Sequence, residues 1–342
     1  MLALVLHEIG EFRVEEREDP TPAEGEVLIR VSVTGICGSD IHGYTGENGR
    51  RFPGQIMGHE SVGHVAALGA GAASLGLVLD QVVTFNPVVI PETDTEAFAG
   101  REQHSPNKTV IGVAPHIPAA FAEYVVVPAR NVVPLPATIP IEYGALVEPL
   151  AVAVHAVRRV LRRTDERALV IGGGPIGQSA VLALRMEGVA TVYVSEVDPA
   201  RRALCARLGA TVLDPTVGSL VDALVADGGL VDVTIDAVGI TPTVADGLNA
   251  TKFGGNVCLV GMGSPTLDLA AFRLSTEERS LVGSFTYSAQ DFTDAAAYIA
   301  SGAPGISELI SREVTLHEAD EAFAALSRGD GTAGKVLVRF AP

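Results

Sequence analysis

Ala168-Leu-Val-Ile-Gly-Gly-Gly-Pro-Ile-Gly177 is an apolar run that breaks into glycines and then into a helix-compatible stretch. The glycines serve three purposes. Gly172 can make a tight turn, Gly174 lets backbone approach a pyrophosphate, and Gly177 lets a helix pack closely on a strand. Alone this spacing is a weak signal, but a strand before it and a helix after it make it a dinucleotide-binding turn. The same rhythm continues, with helices expected over 175–187 and 199–208 and strands over 191–194, 231–235 and 256–260. Alternation of this kind predicts an α/β unit with a parallel, doubly wound sheet over 152–287.

An acidic residue about 20 positions beyond the turn is the expected ribose partner, and Glu196 lies 196 − 177 = 19 residues after Gly177. A carboxylate there accepts from ribose hydroxyls and repels a 2′-phosphate, which favours NAD over NADP. Arg201 and Arg202 stand close by in sequence and weaken that preference, because a guanidinium can accept the phosphate.

Residues 1–151 read differently, as short β segments over 27–33, 61–67, 81–85 and 122–127 separated by Gly and Pro. This part holds Gly35-Ile-Cys-Gly-Ser-Asp-Ile-His42, then Gly58-His59-Glu60, then Glu148-Pro149. A thiolate, an imidazole and carboxylates are the donors that bind zinc while leaving a position open. Each residue alone has a blander reading. Cys37 would be a small buried hydrophobe, and His42 a surface residue on a polar loop. Glu148 is harder to dismiss, since a carboxylate inside Ala145-Leu-Val-Glu-Pro-Leu-Ala151 is costly to bury unless paired or metal-bound.

Together these stretches resemble a zinc-dependent medium-chain dehydrogenase/reductase, nearest in pattern to the sorbitol, threonine and butanediol dehydrogenase group. Phe121-Ala-Glu-Tyr-Val-Val-Val-Pro128, Leu146-Val-Glu-Pro-Leu-Ala-Val-Ala-Val-His155 and Gly334-Lys-Val-Leu-Val338 extend the resemblance from end to end. It implies a GroES-like catalytic domain over 1–151, completed by 288–342, and a Rossmann domain between. It also implies Cys37 and His59 as zinc ligands, with Glu60 ligating or standing behind the metal and Glu148 ligating or holding a water. Asp40 is either a partner for the His59 ring or a turn residue. Ser39 and His42 match the family's proton relay, in which a serine hydroxyl passes the alcohol proton through ribose hydroxyls to an imidazole suited to neutral pH. Coenzyme contacts are carried to Gly172, Gly174, Ile176, Gly177, Glu196 and Arg201, and to Val260, Gly261 and Met262.

Two departures are visible. Relatives with a structural zinc hold it on four cysteines after the first-domain strands, and residues 86–118 contain none. One catalytic zinc and no structural zinc is therefore expected, with His104 and His116 at the surface. At Ser284-Phe-Thr-Tyr287 the sorbitol enzymes tend to show Phe-Arg-Tyr, so Thr286 replaces an arginine that contacts polyol, leaving Thr286 and Tyr287 as hydrogen-bonding groups at a cleft edge.

Composition fits a two-domain enzyme of 342 residues with 47% hydrophobic content. A net charge of −17 repels nucleic acid and anionic lipid. Three scattered cysteines, Cys37, Cys205 and Cys258, form no disulfide framework. No signal peptide or membrane span is read, so a cytoplasmic setting is expected, and the resemblance implies a homo-oligomer, dimer or tetramer. The expected function is hydride transfer between NAD and a secondary alcohol of a small polar molecule: a polyol, sugar derivative, diol or hydroxy amino acid. The alternatives are a dehydrogenase or ketone reductase for less polar alcohols and a non-catalytic NAD-binding protein.

Overall fold

The structure is a computed structural model that describes residues 1–47, 49–330 and 332–341. The chain divides into two compact units, Met1–Glu148 with Ser288–Pro342, and Pro149–Tyr287. The first unit opens with a hairpin, β1 (Leu2–Glu8) and β2 (Glu11–Glu16), which the sequence patterning had not marked. Next comes β3 (Glu26–Gly35), in which Val27, Ile29, Val31 and Val33 alternate into the core. Its end runs through Cys37 into α1 (Gly38–Tyr44). β4 (Glu60–Leu68), β5 (Val82–Phe85) and a small ribbon of β6 (Val88–Val89) and β7 (Thr109–Val110), with the short α2 (Glu92–Thr95) between them, follow. β8 (Tyr124–Pro128) and β9 (Val132–Pro134) end this part.

The chain passes into the second unit within α3 (Val147–Val160). The division therefore falls at 148/149, three residues before the expected 151/152, because a single helix bridges the place where a boundary was read from a change of rhythm. Six parallel strands, among the described residues, then form one sheet: β10 (Arg167–Ile171), β11 (Thr191–Ser195), β12 (Thr211–Leu213), β13 (Val231–Asp236), β14 (Thr251–Leu259) and β15 (Ser280–Gly283), in the order β12-β11-β10-β13-β14-β15. The intervening helices are α4 (Pro175–Met186), α5 (Pro199–Arg207), α6 (Leu220–Ala226), α7 (Thr241–Ala250) and α8 (Ala271–Thr276). Strands β10 and β11 are buried after their first residue, as parallel strands covered on both faces must be.

Residues from Ser288 onward rejoin the first unit as α9 (Ala289–Ala300), β16 (Ile310–Thr315), α10 (Ala319–Ser327) and β17 (Lys335–Arg339). Its main sheet runs β16-β17-β3-β4-β5-β9. β3 is the hub. β4 lies along one side, while β8 takes the first half of the other side and β17 the second half. Phe12, Tyr44, Phe121 and Phe323 form an aromatic cluster with ring centroids 4.7–5.7 Å apart, fastening α1 to the hairpin and to α10. Removing one such buried ring costs about 3–5 kcal/mol. Among the described residues no helix is long and apolar enough to cross a membrane.

Candidate active site

Strand register brings together residues far apart in sequence. Gly35 at the end of β3 pairs with Glu60 at the start of β4, so Cys37, two residues beyond, lies beside His59, one residue before. A Cβ at Gly35 would overlap Glu60 Oε2, so a side chain there would displace the Glu60 carboxylate. Gly58 (φ +99°) turns the chain into His59 where a side chain would fall 2.8 Å from the Phe121 nitrogen. The ligating atoms of Cys37, His59 and Glu60 all lie within 4.8 Å of one another. His59 and Glu60 are buried and Cys37 is half-buried.

Buried charge surrounds this group. Lys335 opens β17, whose Leu337 pairs with Gly35, and its ammonium forms an ion pair with Glu60 Oε1 while donating to the Ile36 carbonyl at 3.2 Å. Glu60 keeps a second buried oxygen, Oε2, with no hydrogen-bond partner. Asp40 is fully buried in α1. Its Oδ2 accepts the Cys37 N–H (3.2 Å), and its Oδ1 faces His59 Nδ1 at 3.6 Å and Arg51 Nη2 at 4.0 Å. With Nδ1 turned to Asp40, the other ring nitrogen is the one available to ligate. Burial pushes the His59 imidazolium's pKa down, but Asp40 and then Cys37 outweigh it and hold that pKa well above the ordinary value. Lys335 behaves alike, with burial opposed by Glu60 and Cys37 and a raised result.

The site residues expected from sequence are not all in one place. Glu148 stands outside the three-donor group and acts on His59 and Lys335 through charge. Ser39 and His42 are on α1, not on a loop. Ser39 is in its first turn, while the His42 side chain is half exposed with Nε2 4.0 Å from Glu47. Asp40 is a helix residue facing His59, not a turn residue. Tyr287, expected at a cleft edge, is fully buried. Thr286 has φ +53°, rare for a β-branched residue, and its buried hydroxyl lacks a hydrogen-bond partner. Sequence reasoning missed Arg51, which carried no signal, and gave Lys335 no role although it sits in a quoted motif.

The lobe at 86–118 is held by polar contacts. Asp94 accepts from the Ser105 hydroxyl (2.5 Å) and the Asn107 amide (3.1 Å), and Glu102 accepts the Ala289 N–H at the start of α9 (3.1 Å). His104 and His116 are exposed.

In the second unit the coenzyme candidates gather at the carboxyl ends of the strands. Gly172 (φ +92°) makes the turn from β10, Gly174 caps α4 with Ile176 in its first turn, and a Cβ at Gly177 would overlap the Gly172 carbonyl. Glu196 follows β11 directly and is buried. Its Oε2 accepts the Gly173 N–H (2.6 Å) and its Oε1 the Asp198 N–H (2.7 Å). Arg202 is tied to Asp214 (2.8 Å), which leaves Arg201, at the start of α5, as the cation nearest Gly174. Val260 and Gly261 follow β14, and Met262 is exposed.

Sulfur, nitrogen and oxygen donors converging within 4.8 Å, one of them a buried carboxylate with an unsatisfied oxygen, fit a zinc ion. The turn and Glu196 fit a dinucleotide. Residues 23–137 match the family model described as alcohol dehydrogenase GroES-like domain, and residues 175–301 match that described as zinc-binding dehydrogenase. Sorbitol dehydrogenase of Gallus gallus is 31% identical over 352 residues, covering 100% of this chain and 97% of its own. Among solved structures, 2R,3R-butanediol dehydrogenase of Bacillus subtilis superposes with a TM-score of 0.88 at 28% identity, over 99% of each chain. A protein of Sinorhizobium meliloti 1021, described as a zinc-binding dehydrogenase and solved with NADP, gives 0.88 at 30% identity over 99% of this chain and 98% of its own. The chain therefore belongs to the zinc-binding alcohol dehydrogenase family and is a nicotinamide-dependent oxidoreductase.

Proposed function

We propose that this enzyme uses one zinc ion per chain and NAD to oxidise the secondary alcohol of a small polyhydroxylated molecule. The observation that carries the reading is the Cys37–His59–Glu60 group, with donor atoms within 4.8 Å of one another. When bound there, zinc supplies Lewis-acid polarisation of an alcohol oxygen, and the nicotinamide supplies the hydride acceptor. The chain's own residues do the rest. Asp40 orients the His59 ring, Lys335 neutralises and holds Glu60, and Glu148 adds negative charge beside them. Ser39 and His42 are three apart on one helix and therefore share a face. In this reading Ser39 hands on the alcohol proton and His42 passes it to solvent.

NAD is favoured over NADP by Glu196, a carboxylate directly after β11 anchored by two backbone N–H groups, which as a ribose partner would repel a 2′-phosphate. A single zinc is favoured by the absence of cysteine from residues 86–118. A cytoplasmic setting is supported by three free thiols. The likeness to sorbitol and butanediol dehydrogenases supports polyols and diols. Thr286, where arginine is expected in sorbitol enzymes, favours vicinal diols, cyclic polyols or modified sugars over linear hexitols.

The test is elemental analysis together with a screen of alcohols against NAD and NADP. One zinc per chain and faster turnover with NAD on a cyclic polyol or diol are expected, and Cys37→Ser should lose the zinc and the activity while remaining folded. Two tightly held zinc ions, a preference for NADP, ethanol as the best substrate, or an active Cys37→Ser enzyme would each contradict the corresponding part.

A further inference from the structure

Asp236 ends β13, is fully buried, and has no part in the chemistry above. Its two ends hold two loops at once. Oδ1 accepts the N–H groups of Val238 (2.8 Å) and Gly239 (2.9 Å), while its backbone carbonyl accepts those of Val260 (3.0 Å) and Gly261 (2.9 Å). Oδ2 accepts from the Thr243 hydroxyl (2.9 Å), whose oxygen receives the Ile240 N–H (3.2 Å) at the start of α7. The loops touch backbone to backbone. A Cβ at Gly239 (φ +77°) would overlap the Gly261 carbonyl, one at Gly261 would overlap Val238, and one at Gly172 would fall 2.6 Å from Val238 Cγ2. The glycine turn and residues 237–240 and 260–263 are thus one packed set, with Asp236 bonding to the latter two.

Strand order says which part of a dinucleotide meets this set. β10 lies between β11 and β13, and a dinucleotide lies across such a switch point. Glu196, the ribose partner, follows β11 and marks the adenosine side. The β13 and β14 ends are on the other side of the glycine turn.

We infer that Asp236 is a positioning residue for the nicotinamide half of the coenzyme, setting the 237–240 and 260–263 loops without touching the coenzyme itself. This rests on the coenzyme reading above. Removing the carboxylate orphans the Val238 and Gly239 N–H groups and the Thr243 hydroxyl, while the backbone bonds to Val260 and Gly261 remain. The 237–240 loop should therefore loosen and disturb the 260–263 loop through their backbone packing, with the β10–β11 side intact.

The experiment compares NADH affinity, read by nucleotide fluorescence, with affinity for ADP-ribose, which lacks the nicotinamide, read by calorimetry. In Asp236→Ala the NADH Kd should rise about tenfold or more. ADP-ribose affinity and zinc content should be unchanged, and KM for NAD should rise with KM for the alcohol unaltered. Asp236→Asn keeps the Oδ1 acceptor and should restore NADH affinity to within about threefold of wild type. If Asp236→Ala does not fold, Thr243→Val is the substitute, with an NADH Kd raised about threefold and ADP-ribose unaffected. Equal loss of NADH and ADP-ribose affinity, or unchanged NADH affinity in Asp236→Ala or its substitute, would overturn the inference. Wild-type protein that binds neither ligand would overturn the coenzyme reading itself, before any substitution is made.

Discussion

The donor group around Cys37 and the coenzyme edge after β10 are built from different materials. The first is made of polar and charged side chains contributed by residues 37, 59, 60 and 335, with Asp40 against His59 and Lys335 against Glu60. The second is made of backbone, with glycines where side chains would collide and with carboxylates, Glu196 and Asp236, bonded to N–H groups. A side-chain site fails when a counter-charge is lost, because the remaining charge is left in a low dielectric. A backbone site fails when volume is added. Substitutions can set these two modes against each other.

The largest effect is expected at Lys335. Lys335→Met leaves Glu60 buried without its cation and should destabilise the metal-free protein by about 3–5 kcal/mol in urea titration, whereas Lys335→Arg should recover most of it. A loss below about 1 kcal/mol would mean that the pair behaves like a surface salt bridge. Gly177→Ala should come next, at about 3 kcal/mol, because its methyl overlaps the Gly172 carbonyl. It should abolish NADH binding yet leave zinc content unchanged, separating the two sites in one variant.

A pH series sharpens the contrast further. In metal-free protein the His59 pKa lies above its ordinary value of 6.5. The stability it contributes is complete below that value and is lost as pH rises through the raised pKa. Every tenfold gain in the ring's proton affinity on folding is worth about 1.4 kcal/mol. Zinc binding needs the deprotonated ring and should instead strengthen as pH rises. Melting temperatures of the two forms should therefore move in opposite directions, and parallel curves would show that His59 is not a ligand. The smallest effect is expected at Thr286, where Thr286→Gly removes a left-handed threonine and a buried unpartnered hydroxyl and should stabilise by about 1 kcal/mol.

The sequence by itself determined the parts that repeat or lie contiguously. The doubly wound sheet was legible because apolar strands and helical stretches alternate, and the coenzyme turn because its three glycines fall within six residues. Glu196 could be placed at the end of β11 by counting, since one helix and one strand, α4 and β11, fill the interval after the turn. Cys37, His59 and Glu60 were legible as residue types that suit zinc. Only tertiary structure decided how they meet, through the pairing of Gly35 with Glu60, and that Glu148 stands outside their group. It also decided that Asp40 faces His59 from a helix, that Arg51 stands behind Asp40, that Lys335 closes on Glu60 across 275 residues of chain, and that Tyr287 is buried. Ion pairs and strand register join residues distant in sequence, and local pattern carries no information about which distant charge arrives to offset a buried one.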